Sequence, residues 1–374
     1  MSSTLPTSQQ RLISMLAAVV VVAGLGFVVE TIRDDPEEVV AAATSTEDTE
    51  EEVVVAELSG EVAVAGSEIV APMIQLQAES FAELAPGVTV VVASESSDDG
   101  IEAICAGTAP IASSARLMTE DEVATCEAAG VEFIELRRAV EGLTFVTAPG
   151  NDIADCVSFN DLYALLSAQA TDSTSWADAN AITSTWGGTQ FADAPLEVYG
   201  PAEDYHTFAS LGEVVIGAVA SGATGLDVAS GEFVAETRTD YEHVTDEELI
   251  AAIAASDSAL GWVGFSSVEE AADNDEVRLL RVSREDGGTC VNANEETISR
   301  ASFPAARNLY TYVNAALADE NPAVAAFVDH MMSDEAAEAI VEEGFVELPN
   351  ADKTRARTIW RARLVGNGQW VEEE

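Results

Sequence analysis

Histidine and cysteine could carry distinctive chemistry in this chain, but their spacing limits what they can do. His206, His243 and His330 lie far apart, and none falls in a metal-ligand spacing. The four cysteines form no CxxC element. One grouping is Cys105 with Cys126 and Cys156 with Cys290, and an even count in an exported chain would favour disulfides over metal ligation. Spacing alone leaves the connectivity open. No nucleophile is accompanied by an activating base, so the residues point away from an enzyme and imply no cofactor and no metal.

Charge narrows the partners. The formal charge is −51, from 67 acidic and 16 basic residues. Such a chain repels nucleic-acid phosphates rather than releasing their counterions, which excludes a general nucleic-acid binder. Lys353 is the only lysine. This balance suits a saline, halophilic setting where dense salt screens like charges. The alternative is a highly soluble acidic protein of an ordinary medium. Lys353, Arg355, Arg357, Arg361 and Arg363 cluster with Trp360 and Trp370 near the C-terminus. They read as a terminal helix that neutralises the protein's own acidic surface, with a docking patch for an acidic partner as the alternative.

The elements that must position these residues start after an N-terminal leader. Residues 12–29 form a charge-free apolar run long enough to cross a bilayer. Arg11 precedes it and acids follow, which directs the remainder outside the cell. Its length favours an uncleaved membrane anchor (residues 1–29) over a cleaved signal peptide. Residues 30–59 are acidic, without a period that buries a face, and read as a flexible tether. From residue 60 the pattern is βαβα: a strand over 61–65, a helix over 72–84 presenting Met73, Leu76 and Phe81, a strand over 88–93 and a helix over 101–106. Strands over 143–147, 196–199, 259–263 and 309–313 alternate with helices over 159–168, 208–220, 322–332 and 335–342. Alternation of this kind predicts an α/β protein with mainly parallel sheets, and the length predicts two lobes. No internal repeat is present.

Several segments, in order, resemble the phosphate-binding protein family of ABC phosphate importers. GSEIVAP (residues 66–72) is similar to that family's GSSTV-x-P. CAGTAPIASSAR (105–116) is similar to C-x-G-x-x-D-I-x-x-A-S-R, and EGLTFVTAPGND (141–152) to a DGLTVVV crossover strand. YGPAEDYHTF (199–208) resembles YGP-x-x-D-SGT-x-x-x-F. TRTDYEHVTDEELIAAI, ALGWVGFS and GFVELP resemble further family blocks, and the Arg-rich last helix has a counterpart. The resemblance implies a two-lobed periplasmic-binding-protein-like fold of type II, with lobe 1 from residues 60–141 and 292–374 and lobe 2 from 142–291. It implies a monomeric, extracytoplasmic solute-binding protein that captures phosphate or a related oxyanion in the interlobe cleft and delivers it to an ABC permease. Cys156 and Cys290 would then lie near the hinge, and Cys105 and Cys126 would brace lobe 1.

On this mapping an anion is held by helix N-terminal amides, small hydroxyls and an arginine. The residues that carry over are Ser67, the Ser94, Ser96 and Ser97 turn, Arg116, Asp204 and Thr207. His206 joins them as a residue able to donate to an anion when protonated. Neighbouring positions depart from the family. Glu68 and Ile69 replace Ser-Thr, Glu95 enters an SGTG turn, Ser113 replaces an aspartate, and Tyr205 and His206 replace Ser-Gly. A carboxylate within about 4 Å of a dianion opposes it by several kcal/mol at intermediate dielectric. The alternative function is therefore an anchored, degenerate binding domain that senses, or interacts through, a different ligand or none.

Overall fold

The computed structural model describes residues 54–184, 186–226, 228, 233–368 and 370. The anchor and most of the tether, residues 1–53, lie outside the described residues. Among those described, no helix is long and apolar enough to cross a membrane. A 3-10 turn over Val55–Glu57 leads into β1 at Ser59, so regular structure begins slightly before residue 60.

The first half-lobe comprises β1 (Ser59–Gly66), α1 (Ala71–Leu84), β2 (Gly87–Val92), α2 (Ser97–Cys105), β3 (Ile111–Ser114) and α3 (Glu120–Ala129). β4 (Phe133–Thr147) leaves it. The second lobe follows with β5 (Cys156–Ser158), α4 (Phe159–Leu166), α5 (Asp178–Thr183), β6 (Val198–Gly200), α6 (His206–Ser210), α7 (Gly217–Ala220), β7 (Glu242–His243), α8 (Asp246–Ala255), β8 (Leu260–Gly264), α9 (Phe265–Asp273), β9 (Arg278–Leu279) and β10 (Arg281–Ser283). The return contains α10 (Glu295–Ser299), β11 (Ala306–Asn314), α11 (Ala315–Glu320), α12 (Pro322–Met331), α13 (Asp334–Ala339), β12 (Phe345–Glu347) and α14 (Asn350–Arg361).

Sheet pairing is mixed rather than mainly parallel. β1 pairs in parallel with β2 and β3, and β6 with β7 and β8. The long crossing strand β4 pairs antiparallel with four strands: β11 and β12 along its first part, β8 and β9 along its last. The two lobes thus share one strand. Its start escapes a sequence reading because Glu135, Arg137, Arg138 and Glu141 interrupt the apolar run, yet every residue of β4 is buried.

Each lobe has its own apolar core. Val62, Ile74, Phe81, Leu136 and Phe327 pack together in the first, and Phe145, Leu162, Val215 and Trp262 in the second. α1 turns Met73, Ile74, Gln77 and Phe81 inward, a stripe at helical spacing, whereas Leu76 is only half-buried. The apolar pattern in 208–220 is realised as α6, a π-helical turn over Leu211–Ile216, and α7. Disulfides join Cys105 to Cys126 between α2 and α3, and Cys156 to Cys290 across the start and end of lobe 2.

α2 lies very close to β1. A methyl group on Gly100 would stand 2.6 Å from the Cα of Gly66 and 3.1 Å from the carbonyl oxygen of Ser113. This approach presses the start of α2 onto the end of β1. Gly100→Ala is expected to lower the unfolding free energy by about 1–3 kcal/mol, measured by urea denaturation. Gly150→Ala, where the added carbon meets nothing within 4 Å, should stay within about 0.5 kcal/mol of the parent.

Candidate functional site

The three turns marked by the sequence behave differently once folded. In the first, Ser67 is buried, its hydroxyl accepts from the Ile69 amide at 3.3 Å, and its carbonyl receives the amides of Val70 and Ala71. Its own amide donates to Ser113 at 3.1 Å. The first and second turns are stitched together: the Glu68 amide donates to the Glu95 carbonyl, and the Glu95 amide to the Gly66 carbonyl, both at 2.7 Å. The side chains of Glu68 and Glu95 are exposed. Ile69 is wholly buried in the lobe 1 core, so this position packs rather than presenting a polar group.

The second turn is closed by its own acids. Ser96 and Asp99 form a capping box, and hydrogen bonds from the Ser96 hydroxyl and amide hold the Asp99 carboxyl below its usual range. The Ser97 hydroxyl accepts from the Ala115 amide at 3.0 Å, and Ser94 is exposed. Arg116 has its guanidinium committed to Glu122 and Asp98 and also donates to the Leu117 carbonyl. Its hydrogen bond to Glu122 raises the Arg116 pKa and, from the other side, holds Glu122 at about 2 despite partial burial. Arg116 is therefore an α2–α3 tie.

The third turn is open. Asp204 is exposed, and no side chain caps α6. The first amides of a helix lack intrahelical acceptors, so an uncapped start offers donors and a partial positive charge. Thr207, in this first turn, is buried, and its hydroxyl has no hydrogen-bond partner. Ser113 and its cross-strand neighbour Thr311 are likewise wholly buried, with partnerless hydroxyls. His206 is instead a packing residue. Its ring stacks on Phe345 at 4.7 Å, and its Nε2 lies 3.0 Å from the Glu343 carbonyl oxygen. Its Nδ1 lies 3.4 Å from Glu141. The ring thus joins the lobe 2 helix to the segment entering β12.

Glu141 anchors what lies beneath. It sits in β4 opposite Arg307 of β11, whose Nε donates to it at 2.8 Å, and it accepts from the Ser210 hydroxyl. Arg307 also reaches Glu213 at 2.7 Å and the Ser210 hydroxyl at 2.9 Å. Burial alone would raise the Glu141 pKa, but the Arg307 guanidinium and the hydrogen bonds from His206 and Ser210 hold it at about 2. Arg307, Ser210, Glu213 and Thr311 were not legible as site residues, because a charge inside a β-run signals burial only when its partner is known. No group of acids, histidines and cysteines suited to a metal occurs among the described residues.

A family model described as the PBP superfamily domain matches residues 41–335. Protein SphX of Synechocystis is 28% identical over 299 residues, covering 79% of this chain and 80% of that protein. The phosphate-binding protein PstS of Staphylococcus saprophyticus is 23% identical, covering 80% of this chain and 84% of its own. Among solved structures, a possible phosphate binding protein from Planctomyces limnophilus superposes with a TM-score of 0.69 at 25% identity, over 82% of this chain and 99% of that one. PstS of Borrelia burgdorferi shares the fold, with a TM-score of 0.52 at 19% identity, over 78% of this chain and all of its own.

Glu141→Gln leaves Arg307 with the half-exposed Glu213 as its remaining carboxylate partner and should cost about 3 kcal/mol of stability, the low end for breaking a buried pair. Because the folded pKa of about 2 lies below the ordinary glutamate value of about 4.3, the stabilisation is complete above about pH 4.5 and is lost as pH falls through about 2. Acid titrations of unfolding free energy should show a shallower fall over this window in Glu141→Gln than in the parent.

Proposed function

The chain belongs to the PBP superfamily, and from that premise we propose that it is the extracytoplasmic solute-binding component of an ABC importer, capturing phosphate or a related oxyanion between its two lobes. The observation that carries this reading is the uncapped start of α6, where the buried Thr207 hydroxyl lacks a partner. An anion is the ligand such a group of donors favours. Relatives named for phosphate binding add support along most of the chain. Ser113 supplies a second unpartnered hydroxyl on a segment that the family resemblance assigns to the ligand turn. Glu68 and Glu95 are exposed, so water and salt screen their carboxylates.

The proposed site is built from neutral donors, because Arg116 is held by Asp98 and Glu122. His206 acts as a wall of the site, and Asp204 lies at its rim. The lobes are taken as residues 60–141 with 292–374, and 142–291, with the crossing strands as the hinge. Release of the ligand to a membrane permease follows from the same assignment, with the apolar leader holding the monomer on the extracytoplasmic side of the membrane it crosses. The chain performs no catalysis in this role.

Isothermal calorimetry with inorganic phosphate tests the proposal. Binding heat is expected for the parent. Thr207→Val should weaken affinity roughly 10- to 150-fold, the worth of a hydrogen bond to a charged group at about 1.5–3 kcal/mol. Thr207→Ser should retain most of it. Absence of heat at millimolar phosphate would reject phosphate as the ligand and favour the altered-ligand reading.

A further inference from the structure

Three arginines are at least nine-tenths buried among the described residues, and two have carboxylate partners: Arg137 with Asp352 at 2.9 Å and Arg238 with Asp240 at 2.8 Å. The third, Arg138 in β4, has none. Among the described residues its one hydrogen bond runs from Nη2 to the carbonyl of Met331 at the end of α12, and Nη1 is buried without a partner. Burial pushes its pKa down to about 9, still well above neutrality, so the guanidinium stays charged. The helix end offers only about half a charge. An isolated buried ion costs several kcal/mol even after relaxation.

Arg138 lines a cavity of about 20 Å³ on the lobe 1 side of the hinge. On the same measure a single water needs roughly 10–15 Å³. Gln77, Arg137, Ser333, Lys353 and Arg357 share its wall, and no acidic residue does. Four of the chain's sixteen basic residues therefore converge on one small cavity in a protein of charge −51. Three of the four are neutralised by carboxylates outside the lining: Arg137 by Asp352, Lys353 by Glu347 and Arg357 by Asp334. One positive charge is left over, at Arg138. Arg357 adds a hydrogen bond from Nε to the Met332 carbonyl at 2.8 Å, which fixes the wall beside it.

The geometry points to a site for one small monovalent anion, a halide such as chloride, bound by Nη1 of Arg138 in this cavity. A monatomic anion matches the space and the single unbalanced charge, whereas phosphate is too large to enter. The site is separate from the α6 donors, so it stands or falls independently of oxyanion capture. Its occupant serves as the counter-ion that allows an arginine to cross the interior of β4.

Bromide replaces chloride and can be located by anomalous scattering. Crystals of the parent protein soaked in bromide should show one anomalous peak within hydrogen-bond distance of Arg138 Nη1, unchanged when phosphate is added. In solution at constant ionic strength, replacing methanesulfonate by chloride should raise the Tm of the parent, and Arg138→Met should abolish that rise. A water bridging Arg138 to the Gln77 carbonyl oxygen with no anomalous signal would overturn the proposal. An equal chloride response in parent and variant would overturn it as well.

Discussion

The buried pair of Glu141 and Arg307 is the constraint on which the two-lobed arrangement depends. Both residues lie on strands that run from one lobe toward the other, β4 and β11, in direct register. Removing two charges from water costs more than a single contact recovers, so such a pair survives only when its remaining hydrogen-bonding capacity is satisfied. Ser210, Glu213 and His206 supply that satisfaction, and all three belong to the helical segment of lobe 2. The hinge strands and the start of α6 are therefore held in one polar network. The uncapped turn bearing Thr207 is positioned by that network rather than by its own short helix.

The acidic composition has a structural counterpart in how local donors are used. Capping boxes close the N-termini of α2, α3, α4, α8 and α10, four of them with an Asp or Glu at the third helical position. Acids placed there complement the helix dipole and occupy amides that could otherwise hold an external anion. α6 lacks this feature, as do α1, α5, α7, α9 and α14, and what α6 adds is the buried, partnerless Thr207 hydroxyl in its first turn. The basic residues are similarly committed. Ten of the sixteen form ion pairs among the described residues, Arg116 among them. The C-terminal cluster follows the same rule, since Lys353, Arg357 and Arg363 pair with Glu347, Asp334 and Asp319, and Arg355 lies over the Trp370 ring. This is the self-neutralising use of the cluster.

Much of the element order was legible in residue patterns. The helices over 159–168 and 322–332 and the strands over 61–65 and 309–313 correspond to α4, α12, β1 and β11 within a few residues. α2 starts four residues before the expected helix because the Ser96–Asp99 box, rather than the apolar stripe, sets its beginning. The expectation of mainly parallel sheets failed at β4 and β11, the crossing strands, whose direction follows from chain return and not from local alternation.

The order of motifs determined the family and the two-lobed α/β class, because backbone periodicity and turn chemistry act over a few residues and are written into neighbouring positions. Side-chain roles were decided only by the tertiary structure. Ile69 became core, Arg116 became a tie between helices, and His206 became a packing ring. The reason is distance along the chain: Glu141 meets a partner 166 residues away, and His206 one 137 residues away. A residue's chemistry is visible in its type, but its availability to a ligand depends on which remote group has already claimed it.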